Sequence, residues 1–242
     1  MKLRYLTILG GLLAVTMTGL LPVTVPAAPA AKEAKPSISE EASAALLRMG
    51  QALRAEQFSF QARTIRVYTD EGGEPLHIFH TMKVTVHRPN KLLAEVTGDD
   101  GSNKLVFDGK ALTIYSAQDK KYGTLSVPEG TSIDGMLKEA IGRHGLDFPL
   151  ADFLSEAPNK AFLSGVTLGR VVNTVTIEGA PYDHLFFSQP PGIELELWLP
   201  KTGEALPRRL IVTYRFLPGQ QYFIAEFSDW DLNIHPSDAE FV

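Results

Sequence analysis

Apolar residues recur at every second position along much of the chain after residue 58, which is the pattern of β-strands that bury one face. In the run IELELWLP, residues 193–200, three leucines alternate with two glutamates and a tryptophan. Leu210, Val212 and Tyr214 alternate in the same way within RRLIVTYRFL. The pattern therefore predicts long strands with one apolar face.

Turn residues divide the chain into separate strands. DEGG at 70–73, DG at 108–109 and PG at 218–219 are sequences that reverse the chain. They predict six strands between 58 and 127, and five more between 165 and 232. Because wide, twisted sheets curl, we expect a mainly β (α+β) fold with a single curved antiparallel sheet. If the curl is incomplete, its inside is a groove lined by apolar side chains.

The apolar spacing becomes helical near the start of this region. SISE at 37–40 has the S-x-x-E form of a capping box and predicts a helix that ends at about Arg54. The apolar stripe of this helix consists of Ile38, Ala42, Leu46, Met49 and Leu53. We expect the stripe to pack on the sheet.

A second helical pattern lies between the two groups of strands. TSID at 131–134 is a capping sequence, and Gly142 and Gly145 are expected to end the helix that follows it. Pro149 then opens a short further helix. Because of its place in the chain, this insertion is expected to cross the sheet and cover its apolar face.

The N-terminus has the layout of a secretory signal peptide. Lys2 and Arg4 precede the apolar segment 5–25, and small residues follow. An uncleaved membrane anchor is the alternative, but the alanine-rich exit favours cleavage near Ala27 or Ala30. We therefore expect an exported protein of the periplasm.

These signals divide the chain into a signal peptide (1–30), a linker (31–37) and one domain (38–242). The formal net charge is -5, which weighs against a nucleic-acid partner because phosphate binding needs clustered cations. The chain has no cysteine, which excludes disulfides and acylation on cysteine. We expect a monomer without a metal or another cofactor.

The sequence contains no recognisable catalytic motif. It has no G-x-S-x-G elbow, no phosphate-binding glycine loop and no histidine spacing typical of a zinc helix. Glu194 and Glu196 lie on one strand face, where a solvated surface is favoured over a glycosidase pair. No catalytic residue is predicted, and a periplasmic hydrolase is the least favoured alternative.

Several segments, taken in order, resemble a known superfamily. They are HRPNKLLAEV (87–96), VFDGKALTIYSAQDKKY (106–122), FPLADFLSE (148–156) and, near the C-terminus, LWLPKTGEALPRRLIVTY (197–214) with AEFSDWDLN (225–233). Together with the predicted elements, they resemble the LolA/LolB/RseB superfamily of periplasmic lipoprotein carriers and sensors. The C-terminal segments are more similar to an uncharacterised family of predicted periplasmic proteins within it.

The resemblance implies an incompletely closed antiparallel β-barrel of about eleven strands, with helices over its opening and a hydrophobic cavity between them. In the carriers this cavity takes lipoprotein acyl chains, and an arginine within the barrel is important for ligand release. Arg88 is the nearest candidate for that arginine. The sequence has Leu93-Ala94 where the carriers tend to have a bulky aromatic residue, which argues against lipoprotein specificity.

The expected function is non-catalytic binding of a lipid or an acylated protein in this apolar cavity. The predicted lining is Ile78, Met82, Val84, Leu92, Ala94, Met136, Leu137, Ile141, Leu195, Leu197, Val212 and Tyr214. For each of these residues, a filled core is the alternative. Arg88 and His80 are predicted polar groups of the cavity or its entrance.

A sensor or regulatory module of the RseB type is the alternative function. Such a module would contact a membrane-bound partner through an outer surface. Trp198, which is predicted on the opposite face from the leucines of its strand, is the candidate residue for that surface.

Overall fold

A single antiparallel sheet dominates the computed structural model, which describes residues 37–242. Within that part of the chain the sheet has eleven strands, in the spatial order β6-β5-β4-β3-β2-β1-β11-β10-β9-β8-β7. The strands are β1 (Gln57–Thr69), β2 (Pro75–His87), β3 (Lys91–Gly98), β4 (Gly101–Phe107), β5 (Ala111–Ser116), β6 (Lys121–Ser126), β7 (Leu168–Ile177), β8 (Ala180–Gln189), β9 (Ile193–Pro200), β10 (Arg209–Tyr214) and β11 (Tyr222–Asp231). The sheet is not closed into a barrel, because β6 and β7 lie at its two edges. The predicted fold class is confirmed.

Cross-strand register carries one apolar face through the sheet. Phe60 pairs with Val84, Val84 with Ala94, Ala94 with Leu105, and Leu105 with Ile114. Since side chains alternate between the faces, all five point to the same side. We call this side the inner face, because the helices pack on it.

The described part of the chain contains four α-helices: α1 (Glu40–Ala52), α2 (Ile133–His144), α3 (Ala151–Leu154) and α4 (Pro158–Phe162). Short 3-10 turns lie at Pro218–Gln220 and Asp238–Phe241. No helix among residues 37–242 is long and apolar enough to cross a bilayer. The predicted signal peptide and all but the last residue of the predicted linker lie outside the described residues.

Helix α1 begins two residues later than the predicted capping box implies, because that box would make Ser37 the N-cap. Ser39 is the N-cap, and its hydroxyl accepts a 3.2 Å hydrogen bond from the N–H of Ala42. The residues before it pair with β7 instead: the N–H of Gly169 donates to the carbonyl of Ser37 (3.1 Å), and the N–H of Ser39 donates to the carbonyl of Gly169 (2.9 Å). Pairing with the edge strand keeps Ser37 and Ile38 out of the helix, so the prediction for its start was wrong.

The helical insertion also differs in detail from the prediction. Ser132 caps α2 as expected, and Gly145 ends it in the left-handed conformation, with φ of 68°. Gly142 lies inside the helix and does not end it. The sequence predicted one short helix after α2, and the structure has two. Helix α4 was missed because PNKAF, at 158–162, is too short to show an apolar period.

Five phenylalanines connect the two halves of the sheet through the helices. Ring centroids of Phe60 and Phe227 are 5.7 Å apart, and those of Phe227 and Phe153 are 5.5 Å apart. The contacts continue from Phe153 to Phe162 (6.1 Å) and from Phe162 to Phe187 (5.4 Å). The path runs from β1 and β11 through α3 and α4 to β8. Here the inner face is filled by side chains.

A methyl group added at Gly169 is expected to lower the free energy of unfolding by about 1–3 kcal/mol. Its Cβ would lie 2.6 Å from Cδ1 of Phe187 and 3.0 Å from Cγ2 of Ile38, so the N-terminal segment could not keep its place on β7. Urea unfolding of Gly169→Ala measures the loss. Gly123→Ala is the control, because a Cβ there meets nothing within 4 Å. An equal loss in both variants would contradict this account.

Candidate functional site

The helices leave one part of the inner face uncovered, and a cavity of about 380 Å³ lies there. Its walls are the inner faces of β1 to β5 and β11, together with residues 145–150, which join α2 to α3 and which we call the connector. The lining residues are Thr64, Arg66, His80, Met82, Ala94, Val96, Asp100, Asn103, Leu105, Ile114, Leu146, Asp147, Phe148, Pro149, Leu150 and Phe223. The lining is apolar with a few polar groups, which is the usual composition of a small-molecule site.

The floor of the cavity follows from strand register. Met82 pairs with Val96 across β2 and β3, and Ala94 with Leu105 across β3 and β4. Ile114 extends the row on β5. Ala94 contributes only a methyl group at the centre of this floor, so the neighbouring larger side chains stand around a depression.

The polar groups of the cavity form two pairs. Arg66 of β1 makes an ion pair with Asp147 of the connector, and its guanidinium carbon lies 5.9 Å from the centre of the Phe223 ring. His80 Nε2 lies 2.7 Å from Oδ1 of Asp100. In both pairs the carboxylate belongs to a loop or strand end, and the basic group to a central strand. The basic groups therefore have the more fixed positions.

A second pocket of about 450 Å³ lies on the other side of the Arg66–Asp147 pair. Both pockets are lined by Arg66, Asp147, Pro149 and Phe223. The second pocket is rich in aromatic residues, with Tyr68, Tyr214, Phe216 and Tyr222 also in its wall. The ion pair thus belongs to the wall that the two pockets share, and we call the two pockets together the trough.

Tyr214 is one of three tyrosines in the wall of the second pocket. Burial raises the pKa of Tyr214, and the Asp147 carboxylate raises it further, whereas Arg66 opposes the shift. The phenol therefore stays protonated at neutral pH and can act as a hydrogen-bond donor.

The structure places the predicted cavity residues in four different environments. Met82, Ala94 and His80 line the first pocket, and Ile78 and Tyr214 line the second. Ile141 is 39% exposed on α2. The remaining seven are buried in the core: Val84, Leu92, Met136, Leu137, Leu195, Leu197 and Val212.

Arg88 holds the helices rather than lining either pocket. Its Nη1 donates to the carbonyl of Leu154 at 2.7 Å, and its Nη2 donates to the carbonyl of Leu53 at 3.1 Å. These carbonyls belong to the last residue of α3 and the C-cap of α1, which have no partner within their helices. Burial lowers the pKa of Arg88, which the charges of Asp134 and Glu156 oppose. The guanidinium therefore ties two helix ends to the turn after β2.

Trp198 lies on the outer face and is only 9% exposed. Its ring stacks on the imidazole of His184, with 4.1 Å between centroids and 7° between planes. His184 Nε2 in turn lies 2.7 Å from Oε2 of Glu196. Most of the indole is covered by its neighbour on β8, and its role as a partner surface stays a prediction.

Sequence reasoning missed Arg66, Asp147 and Phe223. Arg66 had a recognisable signal, because it continues the inward series of β1 after Ala62 and Thr64 and places a charge on an apolar face. The connector had a weaker one: LDFPL at 146–150 is apolar but follows a helix-ending glycine. Among the described residues, no group of three or more potential metal ligands comes together.

Comparison with known proteins identifies related sequences and folds. A model of the family described as "Predicted periplasmic protein (DUF2092)" matches residues 42–242. No curated protein matches the chain significantly. The family match confirms the resemblance to an uncharacterised family of predicted periplasmic proteins.

Similar solved structures share low sequence identity with the chain. An uncharacterised conserved protein from Thermus thermophilus is 10% identical, with a TM-score of 0.50 over 84% of this chain and 93% of that one. Lipoprotein LppX of Mycobacterium tuberculosis is 14% identical, with a TM-score of 0.49 over 81% and 99%. A LolA superfamily protein from Nitrosomonas europaea is 12% identical, with a TM-score of 0.41 over 83% and 97%. At these identities, likeness extends to the fold alone.

Replacing Arg88 with methionine is expected to lower the free energy of unfolding by about 2–3 kcal/mol, because two helix-end carbonyls lose a charged donor. Arg88→Lys should recover part of the loss, since an ammonium can serve one carbonyl. Urea unfolding measures both variants. Arg88 lies 5.6 Å from the centre of the Phe58 ring, and the control is Arg170→Met, because Arg170 lies 5.4 Å from the centre of the Phe186 ring but at an exposed strand position. The control should lose at most about 1 kcal/mol, and a similar loss at both sites would argue against the capping role.

Proposed function

The chain belongs to the DUF2092 family of predicted periplasmic proteins, and from this premise we propose that it is a non-catalytic binding protein for a hydrophobic ligand. The ligand is the hydrocarbon chain of a lipid or of an acylated protein. It lies in the cavity of the inner face, between the floor formed by β2 to β5 and the connector. The observation that carries the proposal is the cavity itself, which lies between the sheet and the connector and is lined mainly by apolar side chains.

The size of the cavity supports a single chain. At ~30 Å³ of liquid volume per water molecule, a cavity of about 380 Å³ holds the equivalent of roughly a dozen waters. A methylene group needs a similar volume. One chain of about ten carbons therefore fits the first pocket, and a longer chain would need the second pocket as well.

The energy of burial is sufficient for such binding. Each methylene gives about 0.8 kcal/mol when it leaves water, so ten methylenes give roughly 8 kcal/mol. The cost of immobilising the ligand is subtracted from this sum. The chain alone then supports weak to moderate affinity, and tighter binding requires contacts from a head group.

The core on either side of the first pocket is not available to a ligand. Val84 and Leu197 are completely buried, and Met136 of α2 is as well. Their surfaces already have protein partners, so a ligand would have to displace a side chain to reach them. The cavity, in contrast, needs no such rearrangement.

A larger side chain at Val96 is expected to block the site. Val96 lies on the cavity floor, so Val96→Phe should weaken the binding of decanol, an uncharged probe, by at least about tenfold, which is about 1.4 kcal/mol. Titration calorimetry with the purified protein measures the affinity. Thr97→Phe is the matched control, because the next residue of β3 points to the outer face.

Three results would decide against the proposal. They are the absence of decanol binding to the unmodified protein, equal binding by Val96→Phe, and equal loss in both phenylalanine variants. Mass spectrometry of the protein purified from its native host tests the same point independently, and the expected result is a co-purifying molecule with one hydrocarbon chain in the cavity.

A further inference from the structure

The Arg66–Asp147 ion pair is the charged contact that the two pockets share. Both side chains belong to the wall of each pocket. Arg66 is fixed on β1, where it pairs with Ile78 of β2 and Phe223 of β11. Asp147 belongs to the connector, and its neighbours Leu146 and Phe148 form part of the cover over the first pocket.

In both polar pairs the basic side chain is less exposed than the carboxylate. The side chain of Arg66 is 35% exposed, against 59% for Asp147. The side chain of His80 is 15% exposed, against 52% for Asp100. The basic groups are therefore set into the wall, while the carboxylates lie towards solvent.

This difference in exposure determines which head-group charge the site can accept. A cationic head group would take Asp147 or Asp100 and leave the more buried basic group without its partner, which is costly. An anionic head group would release a carboxylate that is already more than half exposed and can return to water. The guanidinium, meanwhile, keeps a charged partner throughout the exchange.

We propose that the trough binds an amphiphile with one hydrocarbon chain and an anionic oxygen head group, carboxylate or phosphate, which replaces Asp147 on Arg66. This inference rests on the proposed function, since the chain of the ligand occupies the cavity described above. Arg66 offers the planar, two-pronged donor geometry that matches such head groups. The Tyr214 hydroxyl, which lines the second pocket with Arg66, supplies a further donor.

The exchange has a structural consequence for the connector. Asp147 is its charged contact with β1, so release of the carboxylate frees the connector between α2 and α3 from that strand.

The test compares four ligands with an unbranched chain of ten carbons, which we call the decyl compounds: decanoate, whose tenth carbon is the carboxylate, decyl phosphate, decanol and decyltrimethylammonium. The unmodified protein is expected to bind decanoate and decyl phosphate about tenfold more tightly than decanol at neutral pH, which is about 1.4 kcal/mol. Decyltrimethylammonium should bind no better than decanol. Titration calorimetry at low salt gives all four affinities, and added salt should reduce the advantage of the anions.

Two substitutions separate the head-group contact from the cavity. Arg66→Met should abolish the ratio between decanoate and decanol affinity, and Arg66→Lys should retain part of that ratio. Asp147→Asn should strengthen decanoate binding, by up to about fivefold, because the competing carboxylate is gone. If Asp147 had only a structural role, its replacement would not improve the binding of the anionic ligands alone.

The outcomes distinguish this inference from the proposed function. Equal affinities for decanoate and decanol, a preference for decyltrimethylammonium, or weaker decanoate binding by Asp147→Asn would overturn the head-group assignment and leave the cavity proposal standing. Failure of every decyl compound to bind would overturn both. Inorganic phosphate is the control for a free-anion site: it is expected not to compete with decanoate, and competition at similar concentrations would overturn the amphiphile assignment.

Discussion

The structure depends on covering one wide apolar face. Eleven strands carry the same inner face from edge to edge, and a sheet that is not closed cannot bury that face by itself. Helices cover this face, and three of them, α2 to α4, follow β6 and precede β7 in the sequence. Phenylalanines of α3 and α4 meet those of β1, β8 and β11 and fill the middle. The cavity lies where the connector, and not a helix, faces the sheet.

Among the polar contacts that join the cover to the sheet in residues 37–242, three differ in strength. Gly169 ties the start of α1 to β7 through two backbone hydrogen bonds. Arg88 ties the ends of α1 and α3 to the turn after β2 through partly buried, charged hydrogen bonds. The Arg66–Asp147 pair ties the connector through a partly exposed contact, which is the weakest of the three kinds. The cover is therefore firm at its ends and easiest to loosen beside the cavity.

Alternation of apolar residues was enough to predict the strands, because a two-residue apolar period is typical of a sheet and not of a helix. The eleven strands were found from this two-residue period, and helices α1 and α2 were found from the helical spacing of their apolar residues. The start of α1 was wrong, because pairing with β7 is a tertiary contact that local capping rules do not include. The sequence could not separate packed core from cavity either: Leu197 and Met82 follow the same pattern, yet only Met82 lines a pocket. That distinction depends on where the helices end, which no local pattern encodes.

The central place of β1 and β11 in the sheet has a consequence for how the chain folds. These strands come first and last in sequence, yet they pair with each other along most of β1. Pairing between segments so distant in sequence closes a large loop and is correspondingly slow. The two halves of the sheet meet at β11, which pairs with both β1 and β10. They therefore cannot join until this last strand is available. The sheet therefore forms as a whole only late, after residues 222–231 of β11 have been synthesised.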